Sequence, residues 1–324
     1  MPRKLPIYRD DDSGGAPTAA DRMEKATGIG LGKDGSRRDF LRAAAAAGLA
    51  MTAAPACNEP GFEKFLRKHY KELTPDDKKR VFADIEKETL QKTGVKVHVS
   101  DPPPIEGVHF AYGLNLSHCN GNRRCVEACA RENNAPDDPE IRYIRVLELD
   151  NGSQNLEDGN MYYDPAQVPE PGKYYLPVQC HHCDNAPCVR ACPTQATWKE
   201  PDGIVVIDYN WCIGCRYCMA ACPYWARHFN WVEPSIEPDR INPDQGYISN
   251  RIRPVGVVEK CTFCLHRTRK GRYPACYEAC PTGARKFGDL ADPESEVRQI
   301  FERRRVWILK EELGTKPRFF YFYG

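Results

Sequence analysis

Between Gly61 and Gly94 the apolar positions follow a helical period. Phe62, Phe65, Leu66 and Tyr70 keep to one face, which predicts a first helix. Thr74-Pro75-Asp76-Asp77 then supplies a cap, a first-turn proline and an acidic start, so a second helix begins there and Gly94 ends it. Asp101-Pro102-Pro103-Pro104 reads as an extended linker into the rest of the chain. From Ile141 to Leu149 apolar and polar positions alternate, the period of a strand. Residues 150–172 are polar with several Gly and Pro, which predicts a long insertion, and no chemistry is visible in them. No segment after residue 57 holds the ~18 apolar residues of a membrane span.

The first 56 residues have a different grammar. Ser36-Arg37-Arg38-Asp39-Phe40-Leu41-Arg42 precedes a weakly apolar run, Ala43 to Ala54, too short and alanine-rich to cross a membrane. This order resembles a twin-arginine export signal, so residues 1–56 are set aside from the fold. Twin-arginine substrates cross the membrane folded, which lets a cofactor be inserted beforehand. Cys57 follows Ala54-Pro55-Ala56 and stands apart from every other cysteine. Two readings are open for it. It is either a lipidated first residue of the mature chain, giving a single-signal anchor, or an unmodified residue, because Ala54 replaces the Leu usual three residues before a lipidated cysteine.

Composition narrows the rest. The 324 residues allow two or three units of ~100–200 residues. Lys plus Arg number 46 against 45 Asp plus Glu, and 37 against 38 once residues 1–56 are removed, so no bulk charge favours a nucleic-acid partner. With 27 Pro and 24 Gly the chain is loop-rich, and something other than a large apolar core must organise it. The candidates are the 16 Cys, 15 of which lie between Cys119 and Cys280.

Those cysteines fall into four groups. Cys212, Cys215, Cys218 and Cys222-Pro223 form the C-x2-C-x2-C-x3-C-P run that holds iron–sulfur clusters. Three closely spaced thiolates wrap one cluster while the fourth, followed by Pro, ligates a different one, so the motif requires a mate. Cys180, Cys183, Cys188 and Cys192-Pro193 supply it. Cys261, Cys264, Cys276 and Cys280-Pro281 follow the same logic with a longer loop. The first group is Cys119, Cys125 and Cys129, with Asn122 where its second cysteine belongs. An amide is a poor iron ligand. Three readings follow: a three-iron cluster lacking the corner iron, a four-iron cluster with water or Asn122 on the odd iron, or no cluster.

The segment from Cys119 to Pro317 resembles the four-cluster iron–sulfur subunits of membrane-linked oxidoreductases. Relatives of this kind serve dimethyl sulfoxide reductase, nitrate reductase, formate dehydrogenase, periplasmic hydrogenases and alternative complex III. The tail matches as well, in Phe287-Gly288-Asp289-Leu290, Asp292-Pro293 and Leu313-Gly314-Thr315-Lys316-Pro317. The resemblance implies an α+β fold of two bacterial dicluster ferredoxin-like modules, one embedded in the other, loop-rich, with an N-terminal helical extension. The corresponding boundaries are 1–56 for the signal region, 57–104 for the helical extension and linker, and 105–324 for the four-cluster domain. Within it the outer module takes 115–140 and 255–290, the inner module 175–232 and the tail 291–324.

Carried over residue by residue, the inner clusters are Cys180, Cys183, Cys188 with Cys222, and Cys212, Cys215, Cys218 with Cys192. The outer four-iron cluster is Cys261, Cys264, Cys276 with Cys129, and the remaining site is Cys119, Cys125 and Cys280. The expected cofactors are three [4Fe-4S] clusters and one [3Fe-4S] cluster. The resemblance also implies a multi-span quinone-interacting membrane subunit as one partner. The other is a molybdopterin enzyme, a hydrogenase or a multihaem cytochrome. The subunit is placed on the periplasmic side of the cytoplasmic membrane, peripheral or lipid-anchored.

Such a chain relays single electrons and has no catalytic residues of its own. The rival from another class is a metalloenzyme using an open iron at the Asn122 site. Repeated C-x2-C pairs ahead of C-P point to metal ligands rather than disulfides or structural zinc. His181 and His182 stand beside complete cysteine sets and read as ordinary polar or hydrogen-bonding residues. Tyr217, Tyr224, Trp225, Phe229 and Trp231 read as packing around the third group, and Arg267, Arg269, Lys270 and Arg272 as a solvated basic loop. Arg123, Arg124, Arg216 and Lys260 are the cations placed to offset the negative charge of clusters with their thiolates.

Overall fold

The computed structural model describes residues 69–153 and 155–324. The signal region 1–56, Cys57 and the predicted first helix with Phe62, Phe65 and Leu66 lie outside the described residues. Tyr70, the last residue of that predicted face, sits in a 3-10 turn, Tyr70–Glu72.

In chain order the elements are α1 (Pro75–Thr93), β1 (His98–Ser100), β2 (Phe110–Asn115), α2 (Arg124–Glu132), β3 (Arg145–Asp150) and β4 (Lys173–Val178). They continue with β5 (Thr197–Lys199), β6 (Val205–Ile207), β7 (His228–Phe229), β8 (Asp244–Gly246) and β9 (Val258–Glu259). The last are β10 (Arg285–Asp289), α3 (Glu296–Arg303), β11 (Val306–Trp307) and β12 (Phe319–Phe322). Single-turn helices stand at Pro187–Arg190, Tyr217–Ala220, Leu265–Thr268 and Ala275–Glu278. Among the described residues, no helix is long and apolar enough to cross a membrane.

The predicted second helix is α1, and its ends follow from its sequence. Thr74 and Asp77 form a reciprocal capping box, Pro75 takes the first turn, and Gly94 closes the helix in the left-handed region at φ 74°. Such a cap contributes ~1 kcal/mol. Phe82 reaches Tyr247 across a ring separation of 5.5 Å, and Glu86 accepts the backbone N–H of Val99 at 2.7 Å. The proline linker carries no helix or strand, and Arg269 donates to the carbonyl of Pro102 at 3.0 Å.

One four-stranded sheet organises the fold, in the order β10-β2-β12-β11. β2 is buried at every position, pairing antiparallel with β10 and parallel with β12. Tyr112 at its centre stacks on Phe319 at 5.1 Å and meets Phe287 edge-on at 5.7 Å. The sheet thus joins β2, which precedes the cysteine-rich stretch, to three strands that follow it. The remaining pairs, β1/β8, β3/β4, β5/β6 and β7/β9, are two-stranded. The architecture is mixed α/β with little helix and several small sheets, and thiols belong to its apolar core: Cys129, Cys180, Cys183, Cys188, Cys218, Cys222, Cys261 and Cys276 are part of it.

The strand expected over Ile141 to Leu149 starts later, at Arg145, because 141–144 carry no ladder bonds. Its partner is β4, with Asp150 opposite Lys173. The predicted insertion is therefore the connection of a β-hairpin.

Candidate iron–sulfur centres

Four loops share one turn. In each C-x2-C segment the residue before the second ligand position adopts a left-handed conformation: Gly121 at φ 78°, His182 at 44°, Gly214 at 69° and Phe263 at 52°. Such a turn aims successive backbone N–H groups at one concavity, which iron–sulfur sites exploit. The N–H of Gly121, Gly214 and Phe263 donates to the sulfur of Cys119, Cys212 and Cys261 respectively. The first loop keeps this turn although Asn122 replaces its cysteine.

The thiols gather into four sets. Cys119 has the thiols of Cys125 and Cys280 as neighbours. Cys129 has Cys261, Cys264 and Cys276, and the amide of Asn133 donates to both Cys129 and Cys264, at 3.6 and 3.7 Å. Cys183 has Cys180, Cys188 and Cys222. Cys212 has Cys192 and Cys215, and Cys218 faces Cys212 and Cys192. Links between sets run Cys125 to Cys276, Cys261 to Cys180 and Cys188 to Cys218. Every thiol of the Cys129 and Cys180 sets is buried, whereas Cys119, Cys125 and Cys280 at one end, and Cys192, Cys212 and Cys215 at the other, are partly exposed.

The donor chemistry fits clusters. Cys119, Cys125 and Cys280 line one pocket, and Cys180, Cys183, Cys188 and Cys222 line another. Burial pushes Cys183 and Cys264 up to about 12 and Cys119 and Cys218 up to about 11. Buried sulfurs facing one cavity become thiolates around a metal, whose binding releases their protons. Burial also acts upward on Cys280, but hydrogen bonds from Thr282 and from the backbone N–H of Arg285, Thr282 and Ala284 outweigh it and hold the thiol below its ordinary value. All fifteen described cysteines are free of disulfides. Among the described residues, no group of three or more His, Cys, Asp or Glu is set around a single metal ion.

Asn122 turns its polar ends to its own loop. Its Nδ2 donates to Asn120 Oδ1 at 2.5 Å, and its Oδ1 accepts the N–H of Arg124 at 3.0 Å, at the start of α2. The 150–172 connection, where no chemistry was visible, closes over this loop. Tyr163 donates to the carbonyl of Gly121 at 2.6 Å, Arg123 lies 4.0 Å over the Tyr163 ring, and Arg123 also donates to the carbonyl of Met161. Polar composition alone gives no sign of where such a loop lands.

Several expectations need correction. His181 and His182 are buried packing rings more than hydrogen-bonding groups. His181 stacks on Tyr224 at 3.9 Å with neither nitrogen partnered, and burial lowers it to about 3. His182 packs against the Phe263 ring, tilted to it at 3.8 Å, and accepts one bond, from the N–H of Val205. Of the five aromatics near the third group, Tyr224 is buried and Phe229 half-buried, while Tyr217, Trp225 and Trp231 are exposed, so packing does not explain those three. In the basic stretch, Arg267 pairs with Glu132 and Glu278, and Arg269 with Asp202. Both are structural, and only Lys270 and Arg272 are exposed. Of the four expected cations Lys260 alone is buried. Arg124 and Arg216 are exposed and Arg123 is taken up by the loop, whereas Arg227 and Arg285, unnoticed in the sequence, are buried beside thiols.

The 4Fe-4S dicluster domain family matches residues 172–238 and 248–290. Over 212 residues the chain is 43% identical to the Hdr-like menaquinol oxidoreductase iron–sulfur subunit 1 of Archaeoglobus fulgidus, covering 61% of this chain and 71% of that one. The chain belongs to this family of iron–sulfur subunits. A component of the selenate reductase of Mesobacillus selenatarsenatis is 35% identical over 306 residues, 89% of this chain and 97% of its own. The menaquinone reductase iron–sulfur cluster-binding subunit of Nitratidesulfovibrio vulgaris is 38% identical over 237 residues, 64% of this chain and 86% of its own. Like its relatives, this iron–sulfur subunit transfers electrons and leaves catalysis to other subunits. A metalloenzyme acting at the Asn122 site is not favoured by them.

Proposed function

We propose that the chain is a four-centre wire relaying single electrons between a catalytic or cytochrome subunit and a quinone-interacting membrane subunit. Three [4Fe-4S] clusters are held by Cys180, Cys183, Cys188 with Cys222, by Cys212, Cys215, Cys218 with Cys192, and by Cys261, Cys264, Cys276 with Cys129. Bound there, they take up and release electrons one at a time. Cys119, Cys125 and Cys280 hold a [3Fe-4S] cluster. Asn122 supports that last assignment, since its amide is committed to Asn120 and Arg124 and, among the described residues, three thiols line the site.

The observation that carries the order is the chain of links between thiol sets, together with their burial. The Cys119 and Cys212 sets meet solvent and the two between them do not, as a wire with two docking ends requires. The exposed Ile213, Tyr217, Trp231, Val232 and Val255 near the third group favour a protein partner at that end, which we assign to the quinone side. The catalytic side takes the Asn122 end, where the partner is a molybdopterin enzyme, a hydrogenase or a multihaem cytochrome. The inner module, 175–232, is embedded in an outer one of 115–140 and 255–290, a reading supported by the pairing of β2 with β10 across it. Export by the twin-arginine route sets the complex on the periplasmic face, with Cys57 as a candidate lipid anchor.

The order is tested by removing Cys261. With the remaining centres loaded, Cys261→Ser should stop transfer between partners while the Cys212 centre is still reduced from the quinone side. Transfer at the normal rate would exclude the linear order.

A further inference from the structure

Three fully buried cations stand at the three junctions between thiol sets. Arg285 donates to Cys125 Sγ at 3.4 Å and to Gln179 Oε1 at 2.9 Å, with Cys276 of the next set within electrostatic reach. Lys260 donates to the carbonyls of Val205 and Cys261, with the thiols of Cys180 and Cys261 within electrostatic reach. Arg227 donates to Cys188 Sγ and to Thr197 Oγ1, each at 3.1 Å, and is within reach of Cys218. Among the described residues none of the three is paired with a carboxylate: Arg285 and Arg227 donate to sulfurs, and Lys260 to carbonyls. Arg253, equally buried, shows the ordinary solution instead, a salt bridge to Glu259 at 2.6 Å.

A buried charge with no carboxylate partner is costly unless another anion offsets it. Arg227 also leaves Nε and Nη1 without partners. The internal repeat accounts for two of the positions. Arg227 and Arg285 each stand five residues beyond a C-P cysteine, Cys222 and Cys280, and the residue five beyond Cys192 is Thr197, which Arg227 touches. The motif thus places one arginine between the two centres of each module, and Lys260, beside Cys261, covers the junction between modules.

Resting on the four-centre reading above, we propose that Arg285, Lys260 and Arg227 set the driving force along the wire. Each fixed positive charge attracts the electron added to either neighbouring centre. It therefore favours the reduced form of both. Arginine does not deprotonate in proteins, so Arg285 and Arg227 do this without taking up or releasing a proton.

The test is a redox titration of the full chain and its variants, read by low-temperature spin resonance, with iron content measured on the same samples. Arg227→Gln should shift the reduction equilibria of the Cys180 and Cys212 centres at least tenfold toward the oxidised form, ~59 mV for one electron. The Asn122 centre should stay where it was. Arg285→Gln should do the same to the Asn122 and Cys261 centres and spare the Cys212 centre. Lysine at either position should leave most of that shift undone, because it keeps the positive charge. If one variant fails to fold, the other is read on its own pair. Absence of clusters from the unaltered chain would sink the four-centre reading itself. Full iron with unmoved potentials, an equal shift of all four centres, or a shift that lysine does not reverse would overturn the role of the cations and leave that reading standing.

Discussion

Gly121 is pressed against Tyr175: a Cβ at position 121 would stand 2.6 Å from Cε1 of the ring. The left-handed φ of 78° at Gly121 shapes the loop that carries Cys119 and Asn122, and Tyr175 on β4 is fully buried behind it. Backbone conformation and packing both demand glycine here.

Gly121→Ala should therefore cost ~1–3 kcal/mol in denaturant unfolding, the range for overpacking. The spin-resonance signal of the Asn122 centre should weaken before the other three. Gly152→Ala is the control, because Gly152 has φ 90° but nothing within 4 Å of its Cβ position. Equal loss of all four signals in Gly121→Ala would show that the turn serves the whole fold rather than the one loop.

Legibility in the sequence followed the range of each interaction. The ends of α1 were readable because Thr74, Pro75, Asp77 and Gly94 act on backbone groups within a turn. The turn within each C-x2-C segment was readable for the same reason, since such short spacing acts on backbone groups of a single loop. β12 was not, because Phe319–Phe322 is four aromatic residues with no period, and its parallel partner β2 lies far back in the chain. Arg227 and Arg285 escaped notice because a lone arginine reads as a surface residue, and only the fold reveals that thiols surround it. Met161 and Tyr163 were hidden in a polar loop whose landing place, over Gly121 and Arg123, is set by the β3/β4 hairpin.

Export makes a separate prediction. Replacing Arg37 and Arg38 together by Lys should leave the protein in the cytoplasm, with its iron content unchanged on fractionation. Undiminished export of that double variant would rule out the twin-arginine route, and the mass of the mature N-terminus would settle whether Cys57 is acylated.

The most direct measurement is a quantitative low-temperature spin-resonance titration of the purified chain from oxidised to fully reduced. It should find ~15 irons per chain in four separately reducible centres, three of the four-iron type and one of the three-iron type. The three-iron signal should appear on oxidation and convert to a four-iron one in Asn122→Cys. A fully iron-loaded chain with no reducible centre, or with four identical four-iron signals before any substitution, would contradict the four-centre wire with its three-iron end.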